Sequence, residues 1–388
     1  MSGRAWRLLV LAGLAAFLGE FDSATLPLAL PAISHDFAAP LGGLSNLGSV
    51  LILGGLLSVP LAALADRRGR TRFVALGVLG FSLADVASSF AGSIPLLAAC
   101  RFVAVAFEAL VATVAPVLAV EEVPDQHRAL GVAGLTFIAA AGSGATTILY
   151  PFLAPHWRQL YLLGLVGIPF ALLVWRALPE TRTWVATEHR EPALVVLLEP
   201  RWRGRMLLLA VFSLVAVITY ESAFFYGVLY ASRSLHLAPA PISAILVAGG
   251  LVGALAFLAG GWLSDRYGRR RLGVAFMVAT AVLSALAFTG GVPAFAGGVI
   301  LAGVAAGLAG PIQASWFSEL FPTRARATSQ SVALGAGSIG AVVSLQLTAL
   351  LAPRFGLGPA LVACSTGLLL GALLLLRFPE TRGTPLPD

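Results

Sequence analysis

Runs of about 20 apolar residues, broken by short charged stretches, recur along the whole chain. They predict twelve helices, over about 7–31, 43–65, 72–91, 94–120, 129–152, 158–178, 206–231, 241–263, 272–291, 294–318, 327–351 and 357–377. The runs are too long for barrel strands and lack period-two alternation. A chain surrounded by lipid must satisfy its backbone groups within itself, which leaves helices as the solution.

The polar breaks repeat. Leu64–Arg72 reads Leu-Ala-Asp-Arg-Arg-Gly-Arg-Thr-Arg, and Leu263–Arg271 reads Leu-Ser-Asp-Arg-Tyr-Gly-Arg-Arg-Arg. Asp66, Arg67, Gly69 and Arg70 thus recur as Asp265, Arg266, Gly268 and Arg269, 199 positions on. Glu121, Pro124 and Arg128 recur as Glu319, Pro322 and Arg326, 198 positions on. Pro179-Glu180-Thr181-Arg182 recurs as Pro379-Glu380-Thr381-Arg382, 200 positions on. Three motifs in one order at one spacing indicate an internal duplication. Residues 1–182 and 206–388 are expected to form two six-helix bundles, joined by a polar cytoplasmic linker over 183–205.

Composition agrees with a membrane protein. The chain is 58% hydrophobic and 11% charged, against roughly 25% charged in soluble domains. All 25 basic residues are Arg, and 21 of them fall on the side holding both termini, the repeated loops and the linker. Arg enrichment marks the cytoplasmic face, which also explains the net charge of +7 without nucleic acid. Arg4 and Arg7 precede a full-length span with no cleavage pattern, so the first run is expected to remain as a helix. Cys100 and Cys364 read as small apolar residues, and the five His form no ligand pair at helical spacing, so neither metal nor cofactor is expected.

Duplicated six-helix halves with Asp-Arg-x-Gly-Arg loops resemble the major facilitator superfamily along the whole chain. That family's signature, Gly-x-Leu-x-Asp-Arg-x-Gly-Arg-Arg, is matched from Gly261 to Arg270. The first copy departs from it at Ala62 and Thr71. The Glu-x-x-Pro-x-x-x-Arg loops and Pro-Glu-Thr-Arg ends resemble those of sugar porters and metabolite:proton symporters. Phe21-Asp22 followed by Pro27 and Pro31 resembles helix 1 of organic-acid and aromatic-acid symporters. The Gly-Pro signature of many drug:proton antiporters is missing from Gly131–Tyr150.

The resemblance implies an all-α membrane protein, with two pseudo-symmetric bundles that rock in alternating access. It implies that helices 1, 4, 7 and 10 line a central cavity. It also implies a cytoplasmic gate built from Asp66, Arg67, Gly69, Arg70, Glu121, Arg128, Glu180, Asp265, Arg266, Gly268, Arg269, Glu319, Arg326 and Glu380. Exposed ion pairs contribute about 0–1 kcal/mol each, so such a network can bias one state and still be broken. Acid and base recur together here, whereas topology alone would need only base.

Charges within spans mark functional candidates because they are costly in lipid. They are Glu20, Asp22, Asp85, Arg101, Glu108 and Glu221. Asp22 and Arg101 lie at matching depth, so an ion pair is expected. Drawing Arg101 away would leave the Asp22 charge uncompensated, and taking up a proton would relieve it. Glu108 is seven residues after Arg101, nearly on the same helix face. Glu221, 199 positions after Asp22, is read as its repeat equivalent. It sits among Tyr220, Phe224, Phe225 and Tyr226, which can stack a ring or cover a cation. Glu20 lies on another face of helix 1, and Asp85, on a support helix, is read as structural. Deep amides are few: Gln313 and Gln346 in the spans, and Asn46, argue against a sugar, whose hydroxyls need many partners. Trp316 reads equally as a gate or as packing.

The expected function is a monomeric, proton-coupled symporter of a small organic metabolite such as an organic acid. It would lie as a multi-pass protein in the cell (inner or plasma) membrane with both termini cytoplasmic. A proton-driven exporter is the alternative, favoured by the excess of acids in the spans. A transporter-like receptor would require a larger soluble segment, and an enzyme a nucleophile–base pair or metal set that the sequence lacks.

Overall fold

The computed structural model describes residues 3–122, 128–177, 199–322 and 326–382. Every regular element among them is helical. The chain divides into two compact units, Met1–His189 and Arg190–Asp388.

The first unit contains α1 (Gly3–Asp36), α2 (Leu41–Leu56), α3 (Ser58–Arg68), α4 (Arg70–Ser89), α5 (Ile94–Glu122), α6 (Arg128–Leu153), α7 (Trp157–Leu162) and α8 (Gly167–Ala177). The second contains α9 (Pro200–Arg233), α10 (Pro239–Tyr267), α11 (Arg269–Ala287), α12 (Val292–Glu319), α13 (Arg326–Phe355) and α14 (Leu357–Leu375). Among the described residues, eleven stretches are long and apolar enough to cross a membrane. One of them, Gly134–Ala177, is 44 residues long, about 66 Å if fully helical and twice the hydrocarbon thickness. It is broken by 3-10 turns at Ala154–His156 and Leu163–Val166, so the fifth and sixth expected spans share it.

The breaks follow proline. Pro60 cannot donate to Leu56, and the second expected span accordingly divides at Leu57 into α2 and α3. Pro169 stands in the first turn of α8, after the 3-10 turn. Helix α1, by contrast, runs through Pro27 and Pro31 to Asp36, five residues beyond its expected end.

Small residues let helices cross closely in both units. Gly142 of α6 packs on the Phe17 carbonyl of α1, and Gly340 of α13 packs on the Leu214 carbonyl of α9; a Cβ at either would collide with backbone. Beside these contacts, Thr146 donates to the Phe21 carbonyl (2.8 Å) and Ser344 to the Ile218 carbonyl (2.6 Å). The two units thus repeat one construction.

That construction corrects one expectation. The pairs Phe17/Leu214 and Phe21/Ile218 are 197 positions apart, so Asp22 corresponds to Thr219 and not to Glu221. Glu221 lies two residues further on, about 200° around the helix. Thr219 is buried, donating to the Cys364 carbonyl (2.9 Å) and accepting from the Leu368 amide (3.0 Å).

Candidate functional site

The first unit holds a charged cluster in its interior. Arg101 on α5 is 1% exposed, and Asp22 on α1 and Asp85 on α4 are 4% exposed. Arg101 Nη2 donates to Asp22 Oδ2 (2.6 Å) and Nη1 to Asp85 Oδ1 (2.5 Å). The guanidinium carbon lies 4.9 Å from the centre of the buried Tyr161 ring on α7. One planar fork therefore ties three helices together, with an aromatic face as support.

The helices are placed for this. Thr146 donates to the Phe21 carbonyl and holds α6 against α1 immediately before Asp22, and Thr25 donates to the same carbonyl from within α1. Gly164 and Gly167 bring the broken sixth span close to α4, where a Cβ on Gly164 would lie 2.7 Å from Asp85 Cβ. At the end of α1, Asp36 accepts from Trp157 Nε1 and Arg158 Nη1, both at 2.8 Å, anchoring α7.

The expected Asp22–Arg101 pair is present. Asp85, read from the sequence as structural, is Arg101's second partner. Balancing charges would have found it: a buried Arg beside two span carboxylates leaves one of them in need of a partner. Tyr161 was also missed, and an apolar-flanked Tyr gives no signal of what lies above its ring.

Glu108 is buried on the same helix as Arg101, and its Oε2 has no hydrogen-bond partner among the described residues. Glu20 is exposed on α1. In the second unit Glu221 is half-buried and Tyr226 fully buried, with the Phe225 and Tyr226 rings edge to face at 5.0 Å. Gln313 is half-buried on α12, and its Nε2 has no partner among the described residues. The second unit has no buried ionic cluster among its described residues.

Three repeated motifs of the second unit converge at one end of it. Arg269 Nη2 donates to Glu319 Oε1 (2.8 Å), its Nε approaches Oε2 at 2.7 Å off the N–H axis, and Nη2 lies 3.3 Å from Asp265. Glu380 accepts the Arg269 and Arg270 amides (3.0 and 2.9 Å), a carboxylate on the first turn of α11, where the helix dipole favours it. Thr381 donates to Glu319 at 2.5 Å. Gly268 turns the chain at φ 96° and Gly69 at φ 111°, a region essentially reserved for glycine. A Cβ on Gly268 would also lie 2.9 Å from Glu380. Arg266 instead lies over the Trp262 and Tyr267 rings. Trp316 is fully buried and donates to the Pro379 carbonyl (2.9 Å), so it packs and anchors this segment.

In the first unit Arg70 is half-buried and engaged in an interaction. The side chains of Asp66, Arg67, Glu121, Arg128 and Arg326, and all of Glu180, lie outside the described residues.

Burial alone would raise the Glu380 carboxyl, but the Arg269, Arg382, Arg270 and Thr381 amides outweigh it and hold the pKa below its ordinary value. A lowered folded pKa means stabilisation that is complete above the ordinary value and is lost as pH falls through the lowered one. Glu380→Gln is expected to lower the Tm in detergent at neutral pH, with the gap from wild type closing on acidification. A gap constant from neutral to strongly acidic pH would refute this assignment.

The family's profile, described as Major Facilitator Superfamily, matches residues 12–234 and 211–388. The chain belongs to the Major Facilitator Superfamily. It is 27% identical to the gallate transporter of Pseudomonas putida, over 87% of this chain and 83% of that protein. It is also 27% identical to the 4-hydroxybenzoate transporter PcaK of Pseudomonas aeruginosa, over 95% and 90%. Among solved structures, the bacterial homologue of the human lysosomal transporter Spinster, inward-facing and unoccupied, superposes with a TM-score of 0.83 at 16% identity, covering 97% of both chains. The likeness is one of fold. The chain is thus a multi-pass membrane protein of a transporter family.

Proposed function

We propose that this chain is a proton-coupled symporter of a small organic acid, working as a monomer in the cell membrane with both termini cytoplasmic. The observation that carries the reading is the buried Asp22–Arg101–Asp85 cluster: a charge pair at mid-span that opens only if a proton or a substrate anion compensates it. The 21 Arg on one face support the orientation. The acids transported by the two relatives support the substrate class.

In this reading a substrate carboxylate competes for Arg101, and Asp22 takes up a proton as it is released. The protonated, substrate-bound state carries less uncompensated buried charge, so the bundles can rock about the 183–205 linker. The Arg269–Glu319–Glu380 cluster and its first-unit counterpart act as the cytoplasmic gate. Glu221, Tyr226 and Gln313 of the second unit, and Glu20 and Glu108 of the first, serve substrate binding and proton coupling.

The test is gallate uptake into liposomes holding the purified protein, under pH gradients of either sign. Inward proton gradients are expected to drive accumulation and outward ones to suppress it. Gallate flux that ignores both gradients would sink the reading. The surplus of span acids favours a second reading, export of organic cations, which the same vesicles would reveal as acid-driven extrusion of a cationic dye.

A further inference from the structure

Between α1, α4 and the 3-10 turn before α8 lies a cavity of about 20 Å³, lined in part by Asp22, Thr25, Ser82, Asp85, Gly164 and Gly167. That is room for one water, which requires two to four polar partners. The Ser82 hydroxyl is completely buried against this cavity and has no hydrogen-bond partner among the described residues. Buried hydroxyls are normally satisfied, so an unpartnered one at a water-sized space points to a hydrogen-bonding guest.

The Asp85 carboxyl has two sides. Oδ1 holds Arg101, whereas Oδ2 faces Gly164, where an added Cβ would lie 3.3 Å from it. Asp22 holds the other arm of the guanidinium, so both carboxyls are partners of one cation, and both line the cavity. The two glycines keep the space open, since a Cβ on Gly167 would overlap the Ser82 hydroxyl. Asp85 meets Arg101 from α5 and shares the cavity with Asp22 from α1, while Arg101 in turn lies over Tyr161 of α7, with Glu108 further along α5. The 3-10 turn presents no titratable side chain. One guanidinium thus meets two carboxyls, and a second buried negative charge lacks a counter-ion. A proton on the pair removes it.

We propose that Asp85 is a second proton carrier, which shares one proton with Asp22 through a single water anchored by Ser82. Arg101 then keeps one ionised partner while the other is released. In the transfer the Asp22 O–H bond breaks, its proton passes to the water, and the water gives one of its own to Asp85 Oδ2. One O–H bond forms for each one broken. The inference rests on the proton-coupled reading above, in which only Asp22 is required to change protonation.

The experiment is infrared difference spectroscopy on the purified full-length protein without substrate, comparing wild type with Asp85→Asn and Ser82→Ala at neutral pH in H₂O and D₂O. Asp85→Asn is expected to remove a protonated-carboxyl C=O band, because a lone Asp22 paired with Arg101 needs no proton. Ser82→Ala is expected to shift that band and change its rate of deuterium exchange. A protonated-carboxyl region unchanged in Asp85→Asn overturns the proposal. If that variant does not fold, an unmoved band in Ser82→Ala overturns it equally. Since no substrate is added, failure here leaves gallate symport standing, and failure of gallate symport leaves this band to be judged by itself.

Discussion

Arg101→Met is expected to destabilise the protein by about 3–5 kcal/mol, the range for stripping one partner from a buried ion pair. The side chain it replaces is 1% exposed and is the shared counter-ion of two carboxyls on different helices. Met fills the volume but leaves Asp22 and Asp85 facing each other, and it removes the cation that rests on the Tyr161 ring. The measurement is thermal unfolding in detergent, followed by circular dichroism or a thiol dye on the buried Cys364. Adding Asp22→Asn and Asp85→Asn to the Met variant is expected to recover much of the loss, because the cost lies in stranded charge rather than in missing volume. A stable Arg101→Met single variant would mean that the cluster contributes little to the first unit. Lys at this position is no substitute, since a point charge cannot fork to two carboxyls in fixed geometry.

Much of this architecture was legible in the sequence because lipid imposes strict rules. Span length, helical type and family follow from apolar runs and from charged motifs repeated at one spacing. What the spacing could not show was register. Glu221 stands 199 positions after Asp22, yet the helix contacts align the units at 197 over this stretch. A two-residue offset in a loop leaves motifs recognisable but turns a helix face by more than half a revolution. The proline-broken second and sixth spans were read as continuous because hydropathy is blind to a single missing amide. Asp85 was read as structural because the helix bearing it was judged by its expected place in the bundle; its partner, Arg101 on another helix, depends on a tertiary contact that no spacing encodes. Convergence of Arg269, Glu319 and Glu380 was foreshadowed by their recurrence, whereas the burial of Trp316 against Pro379 depends on tertiary contacts that no periodicity encodes.

Asp22→Asn is expected to separate transport from its driving force. Asn keeps the shape of the side chain and leaves Arg101 paired with Asp85, so the charge of the cluster stays balanced and stability should change by no more than about 1 kcal/mol. What is lost is a group on α1 that can alternate between carboxylate and acid as Arg101 is contested. Gradient-driven gallate accumulation should fall by roughly a hundred-fold, the scale of removing a positioned proton-transfer group. Exchange of gallate across the membrane at equal pH should fall far less, since it needs no net proton movement. The two assays on one vesicle preparation decide the matter: a variant that still concentrates gallate against a gradient of its own, in proportion to the imposed pH difference, would remove Asp22 from the coupling step. Loss of both activities together, in a protein of unchanged Tm, would instead place Asp22 in the binding of the acid itself.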